Sequence, residues 1–369
     1  MRAKVVIFGS TLMGIIGVAI LSPAFPEVQK ALNINEFQVS LLITVFTLPG
    51  IFFAPLMGYF ADAFGRRIIL TTSLFIFGIS GFACAFADYN TILLLRFIQG
   101  VGGSALTSLA VTLIGDLFDG AERVKMLGYN ASILSIGLAF YPLLGGILAE
   151  IDWRLPFLTF LTAVPIGILA IGVDSRRGRK FFKLELNRDI IVAFALGCLV
   201  FVITYGVFYL YIPITLEERF KAEPFLRGFI QSSTLIITAL VASKLSYFVN
   251  RFGTYRTISL GFLGYGFSLA LIPLSPNLFS FTISTMIYGF GHGTVLPALQ
   301  NLLVENTTVE SRATVVTTYN SMIRIGQTIG PIFSASIGPN RYIFASTLAF
   351  TLFILTFLFW KPKLTYQPP

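Results

Sequence analysis

The chain has 369 residues, of which 55% are hydrophobic and 12% charged, with a net charge of +9 and a mean hydropathy of +0.82. Soluble domains carry about 25% charged residues, so this composition excludes a water-soluble globular protein, and recurrent apolar runs of about 20 residues predict a multi-pass membrane protein. The polar backbone groups of a segment in lipid must form hydrogen bonds within that segment, so the spans are expected to be helices. The two cysteines both lie in apolar runs and indicate neither a disulfide framework nor a metal site.

Apolar runs separated by Gly, Pro or charged residues predict about twelve helices. Their expected ranges are 4–25, 37–60, 67–87, 90–115, 123–149, 153–173, 189–215, 225–249, 256–273, 278–303, 311–335 and 340–360. With both termini in the cytoplasm, 17 Lys and Arg fall at inner loops and helix ends, six fall at outer ones, and Arg96, Lys244 and Arg324 fall inside spans. Because cytoplasmic loops carry the excess of Lys and Arg, we expect a plasma (inner) membrane protein with cytoplasmic termini.

The longest polar stretch, DSRRGRKFFKLELNR at 174–188, divides the chain almost in half. It predicts a cytoplasmic basic linker (175–188) between two six-helix bundles, 1–174 and 189–369.

The halves also resemble each other at an offset of 188, where GYFADAFGRR at Gly58 aligns with SYFVNRFGTY at Ser246 and Gly65 falls on Gly253. This match in register with helix order predicts an all-α fold of two pseudo-symmetric bundles of like orientation.

The inner loop between the second and third helices reads GYFADAFGRRIIL. Gly65 allows a tight turn, and a carboxylate suits the nearby start of the third helix. We expect this loop to act as a gate through Gly58, Asp62, Gly65, Arg66 and Arg67. The two arginines could pair with acids of the next inner loop and so lock one face shut: Asp116, Asp119 and Glu122. The alternative is an ordinary basic inner loop without a gating role.

Two further motifs follow on the fourth and fifth helices. The segment RFIQGVGGSA carries Arg96 and Gln99. Burial of an arginine in a membrane span costs free energy, so such a residue usually has a function. Arg96 could instead extend its side chain to the nearby outer membrane surface. GLAFYPLLGG supplies small residues for close helix packing, and a glycine pair before proline recurs on the eleventh helix. The expected packing residues are Gly137, Pro142, Gly145, Gly146, Gly330 and Pro331.

Together these segments resemble the major facilitator superfamily, and within it the twelve-helix drug:proton antiporter branch. The loop at 58–70, the Arg96–Gln99–Gly100 pattern and the Gly137–Gly146 pattern carry the resemblance, although Tyr141 stands where the branch has a second glycine. The resemblance implies two bundles around a central cavity and transport by alternating access. It also implies that Arg96 takes part in proton coupling or substrate contact.

Proton-driven antiport usually requires a titratable group inside a span. All 17 acids are predicted at or beyond the helix ends, whereas His292, the only histidine, lies near the middle of the tenth helix between Gly291 and Gly293. An imidazole can gain and lose a proton near neutral pH. His292 is therefore a candidate for proton coupling or substrate contact. The alternative is a neutral, packed histidine hydrogen-bonded to a backbone carbonyl or to Tyr288.

Arg324 lies near the middle of the eleventh helix, with Asn320 and Gln327 on the same face. A lone arginine at this depth should face a wet cavity or an anion, although a hydrogen bond between helices would also satisfy it. Tyrosines of the seventh helix and a polar residue of the fifth complete the expected substrate cavity, which comprises Asn320, Arg324, Gln327, Tyr205, Tyr209 and Asn130.

The leading hypothesis is a secondary active transporter, not an enzyme, that exports small amphipathic compounds of the multidrug type in exchange for protons. The alternative is a specific carrier of an anionic metabolite or lipid-like solute without proton coupling; a membrane sensor on the same scaffold is a third class, disfavoured by the gating loop. No nucleotide-binding loop occurs in the sequence. We expect a monomer in the lipid bilayer, without cofactor, metal or nucleic-acid partner.

Overall fold

The computed structural model describes residues 2–173, called the N half below, and residues 185–358, called the C half. The predicted linker falls largely at 174–184, outside the described residues. The helices of the N half are α1 (Arg2–Ala19), α2 (Phe25–Leu32), α3 (Glu36–Phe64), α4 (Arg66–Ala83), α5 (Tyr89–Gly103), α6 (Leu106–Leu117), α7 (Gly120–Ile151), α8 (Leu155–Leu158) and α9 (Ala163–Ala170). Those of the C half are α10 (Arg188–Ile203), α11 (Ile212–Phe220), α12 (Pro224–Ala242), α13 (Leu245–Phe252), α14 (Thr254–Leu274), α15 (Leu278–Glu305), α16 (Val309–Ile337) and α17 (Arg341–Leu358).

Several predicted spans are interrupted helices. The fourth breaks between α5 and α6, and the seventh contains a π-helical segment, Thr204–Tyr211, between α10 and α11. Within the described ranges, nine helical stretches are long and apolar enough to cross a membrane, and one of them, 314–358, includes both α16 and α17. α15 is long enough by its 28 residues, but Gly, Ser, Thr and His292 lower its hydropathy. The helical membrane class is confirmed, while the number twelve stays a prediction.

Local sequence explains where many helices begin. Asn35 caps α3 in a reciprocal pair with Gln38, each hydrogen bond being 2.9 Å, and Asn277 caps α15 by accepting from the Ser280 amide at 2.9 Å. Such caps satisfy amides that have no partner within the helix. Asp88 caps α5, and hydrogen bonds from the side chain and backbone of Thr91 hold the pKa of the Asp88 carboxyl below its usual range.

The internal repeat is matched by the backbone. Gly65 joins α3 to α4 with φ 101°, and Gly253 joins α13 to α14 with φ 79°. L side chains rarely adopt such angles, so glycine is required at both turns. The two positions aligned in the sequence therefore make the same kind of turn in the two halves.

The halves meet along two helix pairs, α7 against α12 and α3 against α16. Small residues permit the close approach of α7 and α12. A Cβ on Gly146 would lie 3.1 Å from the Phe225 Cα atom, and a Cβ on Gly228 would lie 3.2 Å from the Gly146 Cα atom. Backbone therefore lies directly on backbone where these helices cross.

Candidate substrate and coupling site

Three ion pairs join the halves at one end of the bundle. Lys30 Nζ lies 2.6 Å from Glu217 Oε1, Arg227 Nη2 lies 2.5 Å from Glu27 Oε1, and Arg341 Nη1 lies 2.9 Å from Glu36 Oε2. In each pair one residue belongs to the N half and the other to the C half. We call this end, where α2 leads into α3 and α11 leads into α12, the closed end, and the opposite one the open end.

Polar contacts continue the seal inward from the closed end. Ser22 donates to the Tyr209 carbonyl at 2.5 Å and accepts from Gln231 Nε2 at 2.8 Å. Further along, Thr44 donates to the Thr328 carbonyl at 3.0 Å, and the hydroxyl of Thr328 donates to that of Thr47 at 3.1 Å. These hydrogen bonds extend the contact between the halves from the closed end towards the middle of the bundle.

Towards the open end, the helices present exposed faces. Residues 120–125 of α7 are all exposed, and α13 has no buried residue. Arg66 and Asp116 form the ion pair that the sequence predicted, but both residues belong to the N half. Asp119 pairs instead with Arg123 at 3.0 Å, and Glu122 lies 4.0 Å from Lys4.

The gating loop thus does not bridge the halves through its Arg66–Asp116 pair in this conformation. Arg67 is exposed, and Gly58 has no heavy atom within 4 Å of a built Cβ. The side chain of Asp62 lies outside the described part of the chain. The ion pairs that join the halves lie instead at the closed end, where no motif indicated them.

Arg96 on α5 is fully buried, with 0% of its surface exposed. Its guanidinium donates to the Leu42 carbonyl at 3.1 Å, to Gln99 Oε1 at 2.7 Å and to the Gly17 carbonyl at 3.0 Å, and it stacks on the Phe46 ring at 4.0 Å. The alternative that Arg96 extends to the membrane surface is wrong, because α1 and α3 enclose it and satisfy its donors. Arg96 therefore ties three helices of the N half together.

Arg324 on α16 crosses to the other half. Its Nη2 donates to the Ser104 carbonyl at 2.7 Å, and its side chain packs against Gly50 of α3 at 3.0 Å from a built Cβ. Arg324 is only partly buried, as is Gln327, whereas Asn320, one turn nearer the open end, is exposed. The predicted polar face of α16 therefore runs from the open end to the contact between the halves.

Tyr205 lies near both arginines. It is the second residue of the π-helical segment and is partly exposed, and its phenol lies within electrostatic range of both Arg96 and Arg324. Its ring contacts those of Tyr209 and Phe201, with centroids 5.2 Å and 6.0 Å apart. π-helical turns often occur at functional sites because they alter which side chains face a cavity. Here the turn directs a tyrosine towards the N half.

His292 on α15 is nearly buried, with 8% of its surface exposed. The Tyr265 hydroxyl hydrogen bonds to Nδ1, and the ring of Tyr288 stacks on the imidazole with centroids 5.9 Å apart. The Tyr288 hydroxyl lies 2.9 Å from Thr204 Oγ1. The partner of His292 is thus Tyr265, rather than the backbone carbonyl or Tyr288 hydroxyl of the alternative interpretation.

Phe201 connects the imidazole of His292 to Tyr205. Phe201 contacts the His292 ring edge-on at 6.4 Å and the Tyr205 ring at 6.0 Å. Phe201 and Tyr205 are both partly exposed. An aromatic wall of the C half therefore connects the one histidine to the position where Arg96 and Arg324 approach.

Other predicted residues have packing contacts. Asn130 accepts a hydrogen bond from Thr11 at 2.6 Å within the N half, so it joins α7 to α1 rather than facing the cleft. Gly137 and Gly145 also pack against α1, near Leu12 and the backbone of Ile20, whereas the backbone at Pro142 meets α12. In the C half, Gly330 packs on the backbone of Val202, beside Pro331. These contacts explain the glycine-proline motifs.

Sequence reasoning missed the cross-half partners. The sequence places Arg227 among the six bases at the outer helix ends and Glu27 among the acids there, yet Arg227 is 0% exposed. Ser104 is, in the sequence, only a small residue after a glycine run. Ser104 offers a free carbonyl because α5 ends at Gly103 and α6 begins at Leu106. The glycine run GVGG in the sequence indicates the helix break that frees this carbonyl. No sequence feature indicates the pairing of Glu27 with Arg227, which lie 200 residues apart.

Two helical halves, joined at one end and parted at the other, with cationic and aromatic side chains where they meet, define a membrane transporter of the alternating-access type. The family model of the Major Facilitator Superfamily matches residues 7–187 and 194–368. The chain therefore belongs to this superfamily.

Known relatives include exporters. The bacillibactin exporter of Bacillus subtilis (strain 168) is 29% identical over 374 residues, covering 93% of this chain and 92% of that protein. The quinolone resistance protein NorA of Staphylococcus aureus is 29% identical over 156 residues, covering 42% of this chain and 39% of that protein. These similarities indicate a transporter related to bacterial exporters.

Solved structures share the fold at low identity. The nucleoside transporter NupG superposes with a TM-score of 0.80 at 12% identity, over 98% of this chain and 99% of that one. A bacterial homologue of the human lysosomal transporter Spinster, in an inward-facing and occupied conformation, gives 0.79 at 17% identity, over 98% and 97%. The predicted fold class is confirmed.

Proposed function

We propose that this protein exports small amphipathic molecules from the cytoplasm by alternating access, and that it is shown here open to the cytoplasm. The observation that carries the proposal is the one-sided seal: ion pairs and hydroxyl contacts join the halves at the closed end, from Lys30–Glu217 inward to Thr328–Thr47. Most Lys and Arg lie towards the other end, which the positive-inside rule assigns to the cytoplasm. Cargo would enter there.

The proposed cargo site lies where Tyr205, Tyr209 and Phe201 approach Arg324. Aromatic rings offer apolar contact area with few rotatable bonds, and a partly exposed guanidinium can bind a polar or anionic group on the same molecule. This combination suits an amphipathic compound better than a sugar-like one, which would need many hydroxyl partners. The exporter relatives support the direction of transport.

Proton coupling is assigned to the C half through His292. The contact of the imidazole with Phe201 puts it next to the proposed cargo site. A proton bound there would compete electrostatically with a cationic cargo, which is the basis of exchange. The Tyr265 hydroxyl can donate to or accept from Nδ1, so the network can accommodate either protonation state.

The second candidate function is a carrier of anionic solutes. Arg324 favours it, because its described polar contact is a neutral carbonyl and not a carboxylate, so its charge is available to an anion. Arg96, satisfied by carbonyls and Gln99, would add to the positive potential without direct contact.

The two candidates are separated in proteoliposomes that carry an imposed pH gradient. A lipophilic organic cation and an organic anion are followed in parallel under the same gradient. Cation flux that depends on the gradient supports proton-coupled export. Anion flux that is independent of the gradient supports the second candidate, and absence of flux for both compounds contradicts the proposed function.

Sidedness is tested by labelling cysteines in a background that lacks Cys84 and Cys198. Gly128→Cys is exposed at the open end and Lys221→Cys is exposed at the closed end. A membrane-impermeant maleimide added to intact cells should label Lys221→Cys alone. Labelling of Gly128→Cys alone would reverse the proposed orientation.

A further inference from the structure

We infer that Glu27 is the proton-responsive group of the lock at the closed end, so that protonation of its carboxylate releases Arg227 and favours opening of that end. The inference rests on the proposed alternating-access function and supplies a group through which pH acts on the conformation. It concerns a residue pair that the sequence assigned to the outer surface.

The two members of the pair differ in their access to water. The Arg227 side chain is 0% exposed, whereas the Glu27 side chain is 23% exposed, with 2.5 Å between Nη2 and Oε1. The Glu27 side chain therefore borders water at the closed end, although its Oε2 atom is buried, whereas the guanidinium of Arg227 is enclosed. The charge of Arg227 is balanced locally only while Glu27 is ionised and the end is closed.

Arg227 also lacks a second partner. Its Nε and Nη1 atoms are buried and have no hydrogen-bond partner among the described residues, and neither has Oε2 of Glu27. Removal of one partner from a buried ion pair is strongly unfavourable because it leaves an uncompensated charge. Protonation of Glu27 would do this to Arg227 unless the end opened and admitted water.

The other two cross-half pairs differ in this respect. Arg341 also donates to the Gly338 carbonyl at 2.7 Å and lies over the Tyr211 ring at 3.5 Å. Lys30 is 63% exposed and can be hydrated without opening. Loss of the negative charge at Glu36 or Glu217 would therefore leave no buried, unpaired cation, so these pairs serve as matched controls.

The charged and titratable groups around the pair agree with this assignment. Glu217 of α11 lies within electrostatic range of Arg227 but is held by Lys30 at 2.6 Å. Lys30 shares α2 with Glu27. From α7, Glu150 accepts the Phe225 amide at 3.2 Å, and the neutral Gln231, one turn along α12 from Arg227, binds Ser22 and the Phe208 carbonyl. Glu27 is the acid in direct contact with Arg227.

A fall in pH should shift the closed end towards its open arrangement. At high pH the ionised carboxylate binds Arg227 and favours the closed end. At low pH the proton adds to Glu27 from water at that end, the ion pair is lost, and the open arrangement is favoured because it hydrates Arg227. Closure then requires that Glu27 return its proton to that water.

The test measures conformation rather than transport. Spin labels are attached at Ala31→Cys and Lys221→Cys, exposed positions of the two halves at the closed end, in a background without Cys84 and Cys198. Electron-electron distances are measured in lipid nanodiscs from pH 8 down to about pH 3.5, so that the range includes the pH of about 4.3 at which a glutamate carboxyl ordinarily gains a proton. In the otherwise native chain, the long-distance population should increase as the pH falls.

Glu27→Gln, which mimics the protonated acid, should raise the ratio of open to closed populations at pH 8 at least tenfold and abolish its pH dependence. Glu36→Gln and Glu217→Gln should retain the pH dependence. The charge exchange Glu27→Arg/Arg227→Glu should restore closure at pH 8, and it keeps the inference testable if Glu27→Gln folds poorly.

A Glu27→Gln distance distribution that follows the same pH curve as the native chain would overturn the inference, as would a native chain whose distances ignore pH. Flux in proteoliposomes is measured on the same preparations. Normal flux together with a closed end that ignores pH would reject the role of Glu27 and leave the proposed function standing. Absent flux together with a closed end that responds to pH would reject the proposed function and leave the role of Glu27 standing.

Discussion

Arg324 of the C half donates a hydrogen bond of 2.7 Å to the carbonyl of Ser104 in the N half. The acceptor is free because the fourth predicted span is interrupted between α5 and α6. Non-helical backbone at membrane depth is tolerated where protein contacts satisfy it. A single guanidinium thus satisfies the helix break of one half while it faces the cleft from the other.

Arg324→Gln should reduce the affinity for an organic anion at least tenfold, since a hydrogen bond to a charged group contributes about 1.5–3 kcal/mol. Flux of a lipophilic cation should change much less. Arg324→Lys keeps the charge but not the fork of donors, so it should retain part of the anion affinity. Initial rates against solute concentration in proteoliposomes provide the measurement. Equal losses for anion and cation would indicate a folding defect instead.

His292→Ala should uncouple flux from the pH gradient while solute exchange without a gradient continues, because the titratable ring is lost and the cargo site remains. Tyr265→Phe is the matched variant: it keeps the ring that packs beside His292 and removes the hydroxyl bonded to Nδ1. We expect Tyr265→Phe to retain coupling but to shift its pH profile. Gradient-driven flux in His292→Ala equal to that of the native protein would exclude this residue from coupling.

Gly146→Ala should be destabilising by about 1–3 kcal/mol, the usual cost of overpacking, because the added methyl group would meet the backbone of Pro224 and Phe225. Gly58→Ala is the control. It lies in α3 with open space around it and should gain about 0.5–1 kcal/mol from the better helix former. Thermal unfolding in detergent compares the two, and equal stabilities would contradict the packing of α7 on α12.

Asp116→Asn should lower stability by about 1–3 kcal/mol, because it removes the negative charge paired with Arg66 in a shielded site. Its partner Arg66 is buried. Asp119→Asn removes a carboxylate that is 81% exposed, so its effect should stay below about 0.5 kcal/mol. Transport assays on both variants then show whether the Arg66–Asp116 pair matters beyond stability. Equal losses of stability would refute the difference in burial.

Hydropathy and motif spacing were sufficient for the fold. Long apolar runs require helices because lipid offers no hydrogen bonds, and the sequence repeat already aligns Gly65 with Gly253, the two residues that make equivalent turns. Gly137 and Gly145, which the motif predicts to be packing residues, lie against Leu12 and the backbone of Ile20. Such features depend on local chemistry, which a single sequence displays.

The cross-half contacts could not be derived in this way. Whether Arg96 meets carbonyls of α1 and α3, or Arg227 meets Glu27, depends on how distant segments assemble. Asn130 was placed in the cavity because it is polar, but it faces Thr11 of α1. A polar residue in an apolar helix signals that a partner exists, and tertiary packing decides which one.

The π-helical segment Thr204–Tyr211 has an evolutionary consequence. A π turn holds one residue more than the α-helical turn it replaces, so removal of a single residue from this stretch would rewind it to an α-helix while the turns on either side keep their orientation. The faces presented by the side chains within the segment, among them Tyr205 and Tyr209, would then change, although no side chain had been exchanged. Specificity on this scaffold can therefore change by insertion or deletion of one codon as well as by substitution.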